Sequence, residues 1–324
     1  MPSMLDEATR RQHKQRNLLH SLLLFGGMGA VLALATWLIW GGAGVLVTAV
    51  AVVALFALAP RLPAEAVMRL YRARPIDRSH GGQLLALVDE LSARAGLQSP
   101  PKLYVVPSST LNAFATGTRG HAAIAVTEGL LRQLTMREIA GVLAHEISHV
   151  VNNDLWVMGL ADTMSRLTQS LTYVALVLAI LNIPGTLLGD PMISWWPILL
   201  LYLAPTISNL LQLGLSRARE YDADLEAALM TGDPIGLASA LRRLDRLTGH
   251  FWEDMMMPVP ARRIPVPSVL RSHPDTEERI ARLLKLQIRP DMKQIEVAET
   301  PMVTMVGWGP IEMRPRYRFP GVWF

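Results

Sequence analysis

His145-Glu146-Ile147-Ser148-His149 is an H-E-x-x-H pattern, and it lies inside residues 136–152, whose spacing of apolar side chains predicts a helix. Positions four apart share one helix face, so His145 and His149 can direct ring nitrogens at a single metal while Glu146 stands beside it. Two neutral imidazoles suit Zn²⁺, and a carboxylate at that place can take a proton from an attacking water. Two solvated histidines on an amphipathic helix would satisfy the same pattern, and a third ligand decides between the readings.

The rest of the chain restricts where that ligand comes from. There is no cysteine among the 324 residues, which excludes a disulfide framework and any thiolate metal site and leaves His, Asp or Glu. Downstream, Ser216-Arg217-Ala218-Arg219-Glu220-Tyr221-Asp222-Ala223-Asp224 reads as helical. Glu220 and Asp224 share a face there, so one can ligate and the other can orient a ligand imidazole. A solvated helix laced by Arg–Glu pairs is the competing reading of that block.

Hydrophobic residues make up 51% of the chain and charged ones 18%, with mean hydropathy +0.27, a composition that puts part of the protein in a membrane. A net charge of +4 and a pI near 9.6 would suit nucleic acid, but the basic residues are placed otherwise. No Lys or Arg occurs in residues 17–60 or 167–216. Each gap is long enough for a helical hairpin, since one span takes about 20 apolar residues. Four spans are expected, over residues 18–40, 45–59, 167–183 and 193–213. The third is the least apolar, holding Thr168, Gln169, Ser170 and Thr172, and also reads as a soluble core helix.

Arg10, Arg11, Lys14 and Arg16 precede the first hairpin, Arg61, Arg69, Arg72 and Arg74 follow it, and Arg166 and Arg217 flank the second. By the positive-inside rule both termini and residues 61–166 face the cytoplasm. The length of the first apolar run and the span that follows it at once argue against a cleaved signal peptide. Between the hairpins, residues 82–95 predict an amphipathic helix, and 102–106 and 122–127 predict short strands of a small sheet. Thr135 with Glu138 forms a capping box for the motif helix. Residues 215–230, 234–247 and 277–286 predict further helices, and 253–267 a Met- and Pro-rich loop.

With these motifs in place the sequence resembles the HtpX-like membrane zinc metallopeptidases, relatives of the CAAX prenyl endopeptidase. The resemblance rests on the H-E-x-x-H helix, on the Ser216 to Asp224 block matching S-R-x-R-E-x-x-A-D, on Asn112-Ala113-Phe114-Ala115, and on His273-Pro274-Asp275-Thr276-Glu277-Glu278-Arg279 matching H-P-x-T-x-x-R. It implies a mostly α fold with a small β-sheet, a zincin-like (gluzincin) peptidase domain and four transmembrane helices in two hairpins. It also implies one Zn²⁺ per chain on His145, His149 and Glu220, with Glu146 as general base and Asp224 behind a ligand. Asn112, on an edge strand beside the cleft, is expected to hold substrate backbone, and Arg279 is expected on the substrate side. His273 is expected near the metal, supporting the transition state or blocking the open position as an extra ligand.

The expected organisation is a tail and first hairpin in residues 1–60, a first peptidase part in 61–166, the second hairpin in 167–213, a second peptidase part in 214–287 and an extension in 288–324. The family pattern does not cover that extension, which carries Trp308, Tyr317, Phe319, Trp323 and Phe324. The resemblance implies a multi-pass protein of the bacterial inner membrane that hydrolyses misfolded or damaged membrane proteins at the cytoplasmic surface, with polypeptide and lipid bilayer as partners and no nucleic acid. Two other readings compete. In an intramembrane protease of the site-two type the motif lies within a spanning helix, and Arg132, Arg137, Asn152, Asn153 and Asp154 around it argue against that. A non-catalytic metal-binding scaffold has no need of Glu146.

Overall fold

The structure is a computed structural model, and it describes residues 4–58, 63–255, 276–286, 294–295, 317–318 and 322–323. His273 and most of the extension lie outside the described residues. The chain divides into two compact units, Met1–Pro60 with Trp156–Arg219, and Arg61–Leu155 with Glu220–Phe324.

The first unit is helical. Helix α1 (Met4–Leu58) is broken at Gly41, whose φ of 61° and ψ of −145° only glycine adopts readily. The expected four-residue link is therefore one hinge residue, and Gly42, Ala43 and Gly44 continue as helix. The limbs fold back on each other there. A Cβ on Gly44 would stand 2.4 Å from the Thr36 carbonyl oxygen, and Thr48 Oγ1 donates to Thr36 Oγ1 at 2.8 Å.

Among the described residues, three helices are long and apolar enough to cross a membrane: Ser21–Leu38 within α1, α6 (Asp154–Leu187) and α7 (Trp195–Thr231). The expected second span, residues 45–59, falls on the second limb of α1, which includes the shorter apolar helix Trp40–Ala54. The polar residues of α6 bond to their own helix, Thr168 Oγ1 to Ser165 O at 2.8 Å and Ser170 Oγ to Leu167 O at 2.6 Å. That removes most of their cost in an apolar setting. Leu32, Ala35, Leu171, Ala175, Ile198, Leu201 and Ala204 form the packed centre of this unit. Gly27 permits close packing there: a Cβ on it would meet Leu211 Cδ1 at 3.2 Å.

Residues 193–213 and 215–230, expected as separate helices, are one continuous α7. Gly214 alone lies between them, and a single glycine with free space around it does not end a helix. Residues up to Arg219 belong to the first unit and those from Glu220 onward to the second.

The second unit is built on strands β1 (Arg74–Pro75), β2 (Lys102–Val106), β3 (Ala113–Thr118) and β4 (His121–Thr127), in the order β1-β2-β4-β3. Only β2 and β4 run parallel. Their side chains alternate between two buried faces. Leu103, Val105, Ile124 and Val126 join the main core, while Tyr104, Val106, Ala123 and Ala125 pack with Met68 of α2 (Ala64–Leu70). Strand β3 is left as an edge. Helix α3 (Arg78–Ala95) becomes regular after Gly81, as the leucine period predicts, and α4 (Glu128–Gln133) follows β4 directly.

The motif helix is α5 (Met136–Val151). Its capping box is formed, with Thr135 N–H donating to Glu138 Oε2 at 2.8 Å and Glu138 N–H to Thr135 Oγ1 at 3.3 Å. The buried Ile139, Leu143 and Ile147 of α5 share the core with Leu237 of α8 (Pro234–Met255) and with Ile280 and Leu283 of α9 (Thr276–Leu284). The α5–α8 crossing is close because residue 141 is glycine: a Cβ there would stand 2.9 Å from Leu237 Cα. Asp233 fixes the angle of approach. It caps α8 through Gly236 N–H at 3.1 Å and accepts from Arg137 of α5 at 2.5 and 2.9 Å. Two short strands, β5 (Tyr317–Arg318) and β6 (Val322–Trp323), pair antiparallel in the extension.

Candidate metal centre

Helix α5 stacks His145 and His149 one turn apart, with ring centroids 4.7 Å apart and planes at 87°. Helix α7 brings Glu220 to the same point. His145 Nε2 lies 3.2 Å from His149 Nε2 and 3.4 Å from Glu220 Oε2, and His149 Nε2 lies 3.6 Å from Glu220 Oε1. Donors at about 2.0–2.1 Å from a tetrahedral zinc stand roughly 3.3–3.4 Å from one another, so the two ring nitrogens and the Glu220 carboxylate are spaced as ligands of one such site.

The remaining ring nitrogens explain the orientation. His145 Nδ1 is 3.0 Å from Asp224 Oδ1, and His149 Nδ1 is 2.9 Å from Asp154 Oδ2. With His149 Nδ1–H donated to Asp154 and the Asp224 carboxylate close to His145 Nδ1, both Nε2 atoms present lone pairs to each other at close range. Only a cation or a shared proton relieves that. Burial pulls the His145 imidazole down, but hydrogen bonds from Asp224 and Glu220 together with their charges outweigh it, and its pKa stands at about 10. His149 is likewise raised, its burial outweighed chiefly by the bond to Asp154. A metal entering this pocket displaces protons, so its affinity falls as pH falls. The carboxylates are buried, with Glu220 6%, Asp224 4% and Asp154 3% exposed.

Asp154 has no precedent in the sequence reading, which took residues 152–154 only as a polar flank. Helix α5 ends at Asn152, and Asn153 adopts φ 56°, a left-handed conformation that asparagine tolerates. The reversal returns Asp154 to the last ligand of the helix it follows. Glu226 was also missed; it accepts from Ser148 Oγ at 2.8 Å and Asn152 Nδ2 at 3.0 Å, tying the end of α5 to α7. Asp154→Ala is expected to lower metal affinity about 10–100-fold, the usual cost of losing a partner that orients a ligand imidazole. Competition titration against a fluorescent zinc chelator reads this directly; wild-type affinity would strip Asp154 of the role.

Glu146, next to His145, is half-buried and so accessible from the solvent side. Asn112 immediately precedes β3, and its backbone is held by one residue, Thr127. Asn112 N–H donates to Thr127 Oγ1 at 3.0 Å, and Asn112 O accepts from Thr127 N–H at 3.0 Å. Strand β3 packs on α5 and pairs on its other side with no strand among the described residues. Arg279, expected on the substrate side, is instead 4% exposed and turned onto the carboxylates. Its Nε and Nη2 donate to Asp224 at 2.8 and 2.7 Å, and Nη1 lies 3.2 Å from Glu220 Oε2.

The family model of peptidase family M48 matches residues 79–287. A protein named Protease HtpX homolog from Desulfatibacillum aliphaticivorans is 36% identical over 276 residues, covering 82% of this chain and 89% of its own. Another of that name, from Acaryochloris marina (strain MBIC 11017), is 36% identical over 284 residues, covering 84% and 95%. The crystal structure of S. mikatae Ste24p aligns at 20% identity with a TM-score of 0.40, covering 84% of this chain and 66% of that one. The described His-His-Glu cluster lies inside the family match, and the relatives align over most of their length and of this one: the chain belongs to peptidase family M48 and is a metalloprotease.

Proposed function

We propose that this protein is a membrane-embedded zinc endopeptidase that cuts misfolded or damaged membrane proteins at the cytoplasmic surface of the bacterial inner membrane. The observation that carries the reading is the cluster of His145 Nε2, His149 Nε2 and the Glu220 carboxylate: the nitrogens lie 3.2 Å apart, and 3.4 and 3.6 Å from its Oε2 and Oε1 respectively. Zinc, when bound by those three residues, supplies Lewis acidity that acidifies water and polarises the scissile carbonyl. Glu146 accepts the proton of the attacking water and returns it to the leaving amine. Asp224 and Asp154 hold the two imidazoles in the tautomer that leaves Nε2 for the metal. The edge of β3, positioned by Thr127 through Asn112, takes an extended substrate as an added strand. Main-chain hydrogen bonds of that kind read backbone more than side chains, which suits unfolded polypeptide as substrate. His273 carries the expected part of supporting the oxyanion on sequence grounds alone.

The cytoplasmic surface follows from the arginines around the two apolar stretches. Inverted membrane vesicles should cleave an added unfolded membrane protein, sealed right-side-out vesicles should not, and a chelator should stop the reaction until zinc is restored. Cleavage in right-side-out vesicles overturns the orientation, and undiminished cleavage after complete metal removal overturns the mechanism.

A further inference from the structure

Glu220 and Asp224 are like charges four residues apart on α7, buried together, an arrangement that destabilises a helix unless a cation intervenes. The permanent cation beside them is Arg279, from α9. Its guanidinium makes a two-pronged contact with Asp224 and places a third nitrogen 3.2 Å from Glu220. A second tie lies one turn on, where Arg282 stands 3.7 Å over the ring of Tyr221, the neighbour of Glu220. Ile280 and Leu283, each next to one of these arginines on α9, are 3% and 1% exposed in the common core. Helix α9 thus grips the turn of α7 that presents the metal-facing carboxylate.

We infer that Arg279 is a positioning residue, and that α9 is a clasp whose docking sets metal affinity by holding Glu220 toward the two Nε2 atoms and Asp224 toward His145 Nδ1. The inference rests on the metal site proposed above and reassigns Arg279 from substrate contact to the metal-facing carboxylates. The fork geometry does the holding, because one planar group satisfies both carboxylates in fixed directions. A lysine carries the charge without the fork. Since Asp224 binds Arg279 and stands 3.0 Å from His145 Nδ1, displacement of α9 frees the neighbour of a ligand imidazole as well as a ligand carboxylate. Linkage makes the effect mutual: a clasp that favours metal is in turn favoured by metal.

The test uses the full chain in detergent, with Zn²⁺ affinity measured by competition against a fluorescent chelator and amide exchange of α9 followed with and without Zn²⁺. Arg279→Gln should weaken zinc binding about 10–100-fold, Arg279→Lys should recover only part of it, and Zn²⁺ should slow exchange across residues 276–284 in the wild type. In the Arg279→Gln/Asp224→Asn pair the losses should be less than additive, because each substitution already breaks the same contact. Circular dichroism of each variant with saturating zinc separates weakened binding from failure to fold. Wild-type zinc affinity in Arg279→Gln with a raised KM overturns the clasp and returns Arg279 to substrate. Fully additive losses overturn it too. A wild-type chain that binds no zinc sinks the metal site itself, a different failure from equal binding by wild type and variant.

Discussion

Glu146→Gln leaves the metal bound and abolishes peptide hydrolysis. The amide keeps the size and polarity of the carboxylate, and residue 146 is not among the three donors that face one another, so metal content should match the wild type. What the amide cannot do is accept a proton from the attacking water at neutral pH. A positioned general base is worth about 10²–10⁴-fold, and the loss should fall on kcat rather than KM. Metal analysis of the purified variant, together with its rate on an unfolded membrane protein, checks both halves. A wild-type rate would remove Glu146 from the mechanism.

The second large effect is on the metal. Glu220→Ala deletes one corner of the donor triangle and leaves two imidazoles, which do not by themselves hold a catalytic zinc against dialysis. The loss should exceed the roughly 10–100-fold expected for an outer partner such as Asp154. Zinc per chain should fall well below one after dialysis, with activity falling in proportion. One equivalent of zinc retained by Glu220→Ala would strike Glu220 from the ligand set. The variant also frees Arg279 from one of its two carboxylates, so thermal unfolding should be followed alongside, to separate a weakened fold from a weakened site.

Both effects involve residues visible in the sequence, but their roles were unequally legible. The spacing of His145 and His149 is a local property of one helix, and the capping box, the core face of α5 and strands β2 and β4 are equally local. They appear in the structure where residue period and turn chemistry put them. The Glu220–Asp224 pair was legible only as two carboxylates on one face, with either free to be the ligand. The geometry separates them: Glu220 oxygens face both Nε2 atoms, and an Asp224 oxygen faces Nδ1. The spans were legible as apolar stretches, but their ends were not. Helix α7 continues through residue 214 because nothing there stops it, and the helix expected over residues 45–59 starts earlier, straight after the Gly41 hinge.

The sequence by itself determined the motif helix, the class of metal its cysteine-free chain can hold, and the apolar segments, because each depends on residues within a few turns of one another. Tertiary structure alone decided the rest. Asp154 reaches His149 through a left-handed Asn153, and Arg279 turns from the substrate side to a pair of buried carboxylates. Glu220 completes a triangle with residues of another helix. A metal site demands donor atoms within a few tenths of an ångström, and segments distant in sequence meet that demand only when a packed core holds their helices at one crossing.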